Sequence, residues 1–172
     1  MISPVFGVTG WKNSGKTTLV TRLVAELTRR GFCVSTVKHA HHDFDIDKPS
    51  TDSFRHREAG AREVMIVSGN RWALMHELRG EEEPPLDAAL QRLSPCDLIL
   101  VEGYKREGHA KIEVRRRDAG RGDPLAPNDP SVLAVAADHE IDPAGRPAFD
   151  LDDVAGIADF IEGQLGLRGR DG

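Results

Sequence analysis

The sequence predicts an α/β fold: one three-layer domain with a mostly parallel sheet. Residues 4–9 and 32–37 are apolar, β-branched runs with the length of buried strands. Between them, apolar residues recur at helical spacing from Lys16 to Arg30. A strand, a helix and a strand in this order form a βαβ unit, which requires parallel strands. The length of 172 residues suits one domain, which we place at residues 1–167 with a frayed tail at 168–172.

The later segments continue this alternation, with one antiparallel interruption. Residues 64–67 and 72–75 flank a glycine-containing turn and predict a hairpin. Ile112 and Val114 alternate with charged residues, which predicts a half-exposed strand. The other predicted elements are helices at 54–60, 86–93 and 154–165 and strands at 97–101 and 132–137. Strands that alternate with helices favour helices on both faces of one sheet.

Charge and hydropathy argue against two kinds of protein, a general nucleic-acid binder and a membrane-spanning protein. A formal net charge of −5 argues against a general nucleic-acid binder, which needs surplus cations for the phosphates. No apolar run approaches the roughly 20 residues that cross a bilayer. The amino terminus lacks the pattern of a secretory signal, so we expect a cytoplasmic protein.

The chemistry-bearing motif lies directly after the first predicted strand. Residues 10–17 match the phosphate-binding pattern G-x-x-x-x-G-K-[ST] in full, and an amphipathic helix follows. A strand-to-helix turn is the context in which this pattern binds nucleotide phosphates. The sequence therefore predicts a P-loop NTPase fold and a bound nucleoside triphosphate. The candidate nucleotide-binding residues of the loop are Gly10, Trp11, Lys12, Asn13, Ser14, Gly15, Lys16, Thr17 and Thr18.

The glycines, the lysine and the threonines of the motif have expected roles. The glycines allow positive φ and close approach of the backbone to phosphate, and Lys16 is expected to reach the β- and γ-phosphates. The Thr17 hydroxyl is expected to bind Mg²⁺, while Thr18 either contacts the α-phosphate or bonds the backbone. A P-loop also needs a carboxylate at the end of another buried strand. Glu102 ends the most apolar strand on the ligand side, so we assign it to the magnesium site and, with Lys16, to catalysis.

A long polar loop leaves the second predicted strand on the same side of the sheet. One hypothesis is a switch loop that orders on the γ-phosphate and supplies a carboxylate, for which we choose Asp45, to magnesium. A second is a zinc or nickel site, because imidazole and carboxylate suit those metals. The third is an ordinary solvated loop. The candidate switch residues are His39, His41, His42, Asp43 and Asp52.

Two further features have open interpretations. Seven basic residues form a local cluster that either meets a phosphorylated small molecule or an acidic partner, or is a solvated face. Asp138 ends the last predicted strand, where a nucleotide base can lie, and is a candidate for base contact. The basic cluster comprises Lys105, Arg106, His109, Lys111 and Arg115, Arg116 and Arg117.

Taken together, these segments resemble the molybdopterin-guanine dinucleotide biosynthesis adapter proteins. The resemblance rests on residues 10–18, 38–49, 52–53, 59–61, 100–105 and 111–113. It extends to about Asp138, and the segment Lys38 to Pro49 is its most specific part. One feature separates the chain from the partition-type ATPases, because Trp11 occupies the position of their extra lysine.

The resemblance implies a function that the residues alone do not give. It implies GTP as the nucleotide with Mg²⁺, weak GTPase activity, and a homodimer. It also implies a role beside the molybdenum cofactor guanylyltransferase that attaches GMP to molybdopterin, with molybdopterin itself as a further candidate ligand. No N-K-x-D tetrad occurs in the chain, so guanine preference rests on the resemblance. Two alternatives stay open: an ATP-dependent small-molecule kinase or ligase, and a nickel-handling GTPase chaperone.

Overall fold

The computed structural model describes residues 3–40, 44–119 and 122–167, and it divides the chain into two compact units. The sheet unit contains the residues up to His39 and those from Leu86 onward; the hairpin unit is Ala40–Pro85. The single domain predicted for 1–167 stays a prediction, and the predicted tail at 168–172 lies outside the described residues. No helix in the described ranges is long and apolar enough to span a bilayer.

The sheet unit is built on six parallel strands in the order β2-β5-β1-β6-β7-β8. The two central strands, β1 and β6, therefore have neighbours on both sides. The strands are β1 Val5–Thr9, β2 Val34–Lys38, β5 Leu98–Glu102, β6 Lys111–Arg115, β7 Val132–Ala137 and β8 Ala148–Asp150. The helices of this unit are α1 Lys16–Arg29, α3 Leu86–Leu90 and α4 Val154–Leu165.

Helices cover both faces of this sheet. On one face, α1 and α4 pack on a core that includes Phe6, Leu100 and Ile112. On the other, Leu86 and Leu90 of α3 pack on Ile99 and Val101 of β5. The predicted three-layer α/β fold with a mostly parallel sheet is confirmed.

Helix α1, which follows the loop at residues 10–15, shows how local sequence determines where a helix forms and ends. Its buried residues Leu19, Leu23 and Leu27 recur at helical spacing and face the core. At its carboxyl end, Gly31 has φ 89° and donates its N–H to the Thr28 carbonyl, while Phe32 N–H donates to the Leu27 carbonyl. This pair of bonds is a Schellman motif, and it ends the helix at Arg29.

The hairpin unit contains α2 Asp52–Glu58 and the strands β3 Glu63–Val67 and β4 Trp72–His76. The two strands pair antiparallel with Met65 opposite Leu74 and Val67 opposite Trp72, which confirms the predicted hairpin. The guanidinium of Arg57 joins the helix to its surroundings through ion pairs with Asp45, Asp47 and Glu77.

Strand β6 differs from the prediction of a half-exposed strand. Residues Lys111 to Val114 are all buried, because β6 lies between β1 and β7. The two charged residues among these four, Lys111 and Glu113, are stabilised by partners inside the protein. The ammonium of Lys111 donates to the carbonyls of Lys105 and Glu107, and Glu113 accepts the N–H groups of Leu125 and Ala126, each at 2.9 Å.

Candidate nucleotide and magnesium site

The loop at residues 10–15 connects β1 to α1 through an unusual backbone path. Three of its residues have positive φ: Gly10 at 146°, Asn13 at 63° and Gly15 at 94°. A Cβ placed on Gly10 would lie 2.5 Å from the Val114 carbonyl oxygen, so only glycine fits there. Backbones that alternate between right- and left-handed conformations turn successive N–H groups to one side and form anion-binding concavities.

The ammonium of Lys16 lies at the inner side of this loop. It donates a hydrogen bond of 2.6 Å to the carbonyl of Trp11. Burial lowers the pKa of Lys16, Glu102 counteracts this, and the positive charges of Lys105 and Lys38 lower the pKa further. Lys16 therefore has one carboxylate, Glu102, and two ammonium groups, those of Lys105 and Lys38, as charged neighbours.

Thr17, Glu102 and Lys38 form what we call the metal corner. The Thr17 hydroxyl donates to Glu102 Oε1 at 2.6 Å, although the two residues are 85 positions apart in the chain. The Lys38 ammonium lies 3.2 Å from the same Oε1 and donates to Thr17 Oγ1 at 3.3 Å. The carboxylate is nearly buried, with its side chain 10% exposed, whereas the Lys38 side chain is 57% exposed.

Strand register brings Lys38 and Glu102 together, and Thr17 joins them from the first turn of α1. Lys38 ends β2 and pairs with Glu102 at the end of β5, and Glu102 also pairs with Val8 of β1. Parallel strands end at one edge of a sheet, and ligands of open α/β sheets bind at that edge. Gly103 and Tyr104 follow with φ 95° and 48°, which turns the chain away directly after the carboxylate.

The corner suits magnesium chemically. Mg²⁺ prefers oxygen ligands, needs octahedral geometry and keeps several waters. The Thr17 hydroxyl gives its hydrogen to Glu102 and still offers an oxygen lone pair to a metal. Glu102 Oε1 is adjacent, within reach of the metal directly or through one water. A cavity of about 320 Å³ opens beside these residues, between α1 and β2, and is also lined by Val20, Val24 and Val37.

Further cations border the loop. The Lys105 ammonium lies 3.9 Å from the centre of the Trp11 ring, whose indole N–H donates to the Asp123 carbonyl at 2.8 Å. The side chain of Arg116 lies beside Gly15, with its Nε 3.1 Å from a Cβ placed there. From the sequence, Lys105 and Arg116 were predicted only as members of a basic cluster. No role was predicted for Lys38, although a lysine at the carboxyl end of a strand was a usable signal.

The remaining predicted residues of the sheet unit lie along the same edge. Lys12 and Thr18 are exposed, and the buried Ser14 hydroxyl has no hydrogen-bond partner among the described residues. His39 donates its N–H to the Glu102 carbonyl at 3.0 Å, and its ring stacks on Tyr104.

Asp138 directly follows β7, and its carboxylate holds the local chain. Its Oδ1 accepts a hydrogen bond of 2.8 Å from His139 and one of 2.9 Å from the Arg117 N–H. These hydrogen bonds lower the pKa of Asp138, so it is an anion at neutral pH. Contact of this residue with a base stays a prediction.

Of the candidate residues in the polar loop that the structure describes, Asp45 and Asp52 belong to the hairpin unit and His39 to the sheet unit. Asp45 Oδ1 accepts from Arg57 at 3.1 Å, and Asp52 lies in the first turn of α2. His41, His42 and Asp43 lie outside the described residues. No group of three or more potential metal ligands (His, Cys, Asp or Glu) is found in the ranges that the structure covers. Magnesium binding by Asp45 and the switch role of this loop stay predictions.

Comparison with known proteins gives matches that all carry names from molybdopterin-guanine dinucleotide biosynthesis. The family model of molybdopterin guanine dinucleotide synthesis protein B matches residues 5–138. A relative from Escherichia coli K12 named molybdopterin-guanine dinucleotide biosynthesis adapter protein is 42% identical over 160 residues, covering 92% of this chain and 91% of the relative. A protein of the same name from Haemophilus influenzae is 40% identical over 164 residues, covering 94% and 89%.

The fold matches solved structures as well. A crystal structure of molybdopterin-guanine biosynthesis protein B superposes with a TM-score of 0.70 at 30% identity, covering 94% of this chain and 99% of the other. A homologue from Bacillus stearothermophilus superposes with a TM-score of 0.68 at 28% identity, covering 95% and 99%.

Proposed function

Because this chain belongs to the molybdopterin guanine dinucleotide synthesis protein B family, we propose that it is an adapter of molybdopterin guanine dinucleotide biosynthesis that binds GTP with Mg²⁺. The adapter role is supported by the names of relatives aligned over nearly their whole length. The nucleotide is supported by one structural observation above the others. The Lys16 ammonium, the Thr17 hydroxyl and the Glu102 carboxylate lie at the same end of the sheet, beside a glycine-bounded loop.

Each residue of the site has a binding task in this proposal. The amides of residues 10–17 and the α1 amino terminus bind phosphate oxygens, because a helix amino terminus carries a partial positive charge of roughly +0.5. Lys16 exchanges its bond with the Trp11 carbonyl for the β- and γ-phosphates. Thr17 and Glu102 would hold Mg²⁺, and the metal would supply positive charge to the phosphates and support slow hydrolysis. The partner we propose is the guanylyltransferase that attaches GMP to molybdopterin.

Thermal unfolding in the presence of nucleotides tests the proposed ligand. A ligand at 100 times its dissociation constant stabilises the folded state by about 2.7 kcal/mol. We expect this stabilisation from GTP with Mg²⁺ and much less from ATP with Mg²⁺. Lys16→Ala is expected to lose the effect while the ligand-free melting temperature stays close to wild type. Arg92→Ala removes an exposed cation near the amino end of β5 and serves as the control that keeps the effect.

Two outcomes would contradict the proposal. Equal stabilisation by ATP and GTP removes the reason for naming guanine and favours the kinase or ligase alternative. A shift that survives in Lys16→Ala means that the nucleotide binds elsewhere. Co-purification with the guanylyltransferase tests the partner separately, and binding that is unaffected by GTP would separate the adapter role from the nucleotide.

A further inference from the structure

The third member of the metal corner has no part in the function proposed so far. Lys38 Nζ lies 3.2 Å from Glu102 Oε1 and 3.3 Å from Thr17 Oγ1. These are the two oxygens assigned to magnesium. The ammonium therefore contacts both oxygens that the metal needs, and it does so from a strand end that the register of β2 on β5 fixes.

We propose that the Lys38 ammonium and Mg²⁺ are alternative occupants of the metal corner, so that Lys38 sets the Mg²⁺ requirement for nucleotide binding. This inference rests on the proposed binding of GTP with Mg²⁺. Arrival of the metal displaces the ammonium from Thr17 and Glu102, and loss of the metal lets it return.

The hydroxyl chemistry makes the two cations compete. The Thr17 hydroxyl has one hydrogen, and this hydrogen is given to Glu102 at 2.6 Å. Only oxygen lone pairs remain for cations. An ammonium and Mg²⁺ on the same two oxygens would also repel each other in a place where the carboxylate is 10% exposed and poorly screened by water.

The side chain of Lys38 is able to move. More than half of it is exposed, at 57%, and an exposed lysine stem changes rotamer freely. Displacement therefore requires no change in the sheet. With the metal absent, the ammonium beside the corner supplies one positive charge toward the phosphates, in part replacing the metal.

The test compares wild type with Lys38→Met, which keeps an unbranched side chain, one atom shorter, and removes its charge. The dissociation constant of a fluorescent GTP analogue is measured over a series of free Mg²⁺ concentrations and in EDTA. The Mg²⁺ midpoint is the free Mg²⁺ concentration at which half of the metal-dependent change in nucleotide affinity has occurred. Since an ion pair of this exposure changes a binding constant by up to about fivefold, we expect the midpoint of Lys38→Met to fall, by up to about fivefold. Its affinity in EDTA is expected to be weaker than that of wild type.

Metal binding is also read directly. Mn²⁺ substitutes for Mg²⁺, and the electron paramagnetic resonance signal of free Mn²⁺ reports the metal bound by the protein with nucleotide. Lys38→Met should bind Mn²⁺ more tightly, and Lys38→Arg, which retains the cation, should resemble wild type. Arg92→Met removes an equal charge from the connection before β5 and should change neither midpoint.

The outcomes separate this inference from the proposed function. Weaker nucleotide binding by Lys38→Met at every Mg²⁺ concentration with an unchanged midpoint overturns the inference and leaves Lys38 as a phosphate ligand only. A midpoint that rises overturns it as well. If wild type itself binds no nucleotide at any Mg²⁺ concentration, the proposed function fails first and the inference fails with it.

Discussion

At the scale of single residues, the site depends on polar groups that serve more than one partner. Glu102 accepts the Thr17 hydroxyl hydrogen and pairs with Lys38 through the same oxygen. Lys16 is bound to the Trp11 carbonyl, an acceptor that phosphate oxygens replace in the proposed complex. Each side chain is thus held near its working position by a bond that a ligand exchanges, which reduces the ordering that nucleotide binding requires.

His109 is a titratable residue whose surroundings disfavour its charged form. Neither ring nitrogen has a hydrogen-bond partner among the described residues. Gly7 leaves the room for the ring, because a Cβ there would lie 2.4 Å from Nε2. Burial, and then the positive charge of Lys111, lower the pKa of His109 to about 4.

This pKa predicts an acid-sensitive contribution to stability. In the unfolded chain the histidine pKa is about 6.5, so the unfolded state binds the proton first as the pH falls. The contribution is complete above pH 6.5 and is lost between 6.5 and about 4. Because His109 as a whole residue is only half-buried and nearby water screens part of its charge, we expect a loss of about 2 kcal/mol rather than the full value of the shift. Urea unfolding at pH 7 and pH 4.5 measures it, and His109→Leu should lose less stability over this interval. An equal loss in the variant would show that other groups cause the acid sensitivity.

At the scale of elements, β6 shows what the sequence pattern could not reveal. Lys111 and Glu113 alternate with Ile112 and Val114, a period of two that usually marks a solvent face. In the structure the charged side chains are as buried as the apolar ones, since each has partners inside the protein. A period of two distinguishes polar from apolar positions but does not distinguish a paired buried charge from a solvated one.

Glu113 binds the backbone of the segment that follows β6, and its removal is therefore expected to destabilise the protein. Its two oxygens accept the N–H groups of Leu125 and Ala126, and Arg115 pairs with it at 2.8 Å. Removing one partner of a buried pair typically costs 3–5 kcal/mol, so we expect Glu113→Ala to lower the free energy of unfolding by about 3 kcal/mol. Glu140→Ala removes an exposed carboxylate and should change it by less than about 0.5 kcal/mol. Similar small effects in both variants would mean that water replaces the lost carboxylate.

The loop and its helix were predictable because their signal is local. Residues 10–17 lie next to each other in sequence, and the apolar spacing of α1 is readable without the fold. The contact of Lys38 with Thr17 and Glu102 depends on the register of β2 on β5, which no short pattern carries. Strand β8 was missed for a different reason. It has three residues, of which two are exposed, and it is recognised only by its pairing with β7.

At the scale of the whole molecule, the hairpin unit presents apolar surface that its own fold does not cover. Val64 and Met75 are buried, whereas Met65, Trp72 and Val67 are 58%, 63% and 69% exposed. The register places Met65 opposite Leu74 and Val67 opposite Trp72, so these four exposed residues form one face, which we call the outer hairpin face. The sequence predicted the hairpin but not this exposure, because a strand that is apolar on both faces gives no alternation to read.

An exposed apolar face of this kind usually marks an interface, and the occupant we propose is a second copy of the chain. Homodimer formation was implied by the family resemblance alone, and the outer hairpin face provides a physical basis for it. Two such faces placed together by two-fold symmetry bury the same residues on each copy, as isologous dimers require. Aromatic residues at the centre of an interface carry most of its binding energy, which points to Trp72.

We therefore predict that Trp72→Asp converts a dimer into a monomer. Light scattering on a sizing column should give twice the chain mass for wild type and the chain mass for the variant, over the micromolar range. Phe44→Asp is the matched control, because Phe44 is 71% exposed in the same unit but lies outside the hairpin.

If Phe44→Asp dissociates the dimer and Trp72→Asp does not, the interface lies elsewhere in the hairpin unit. If wild type is a monomer at all these concentrations, the exposed face serves another partner and the dimer proposal is wrong. Burial of an indole contributes about 2 kcal/mol or more to such a contact, so a buried aspartate in its place should shift dissociation by well over tenfold.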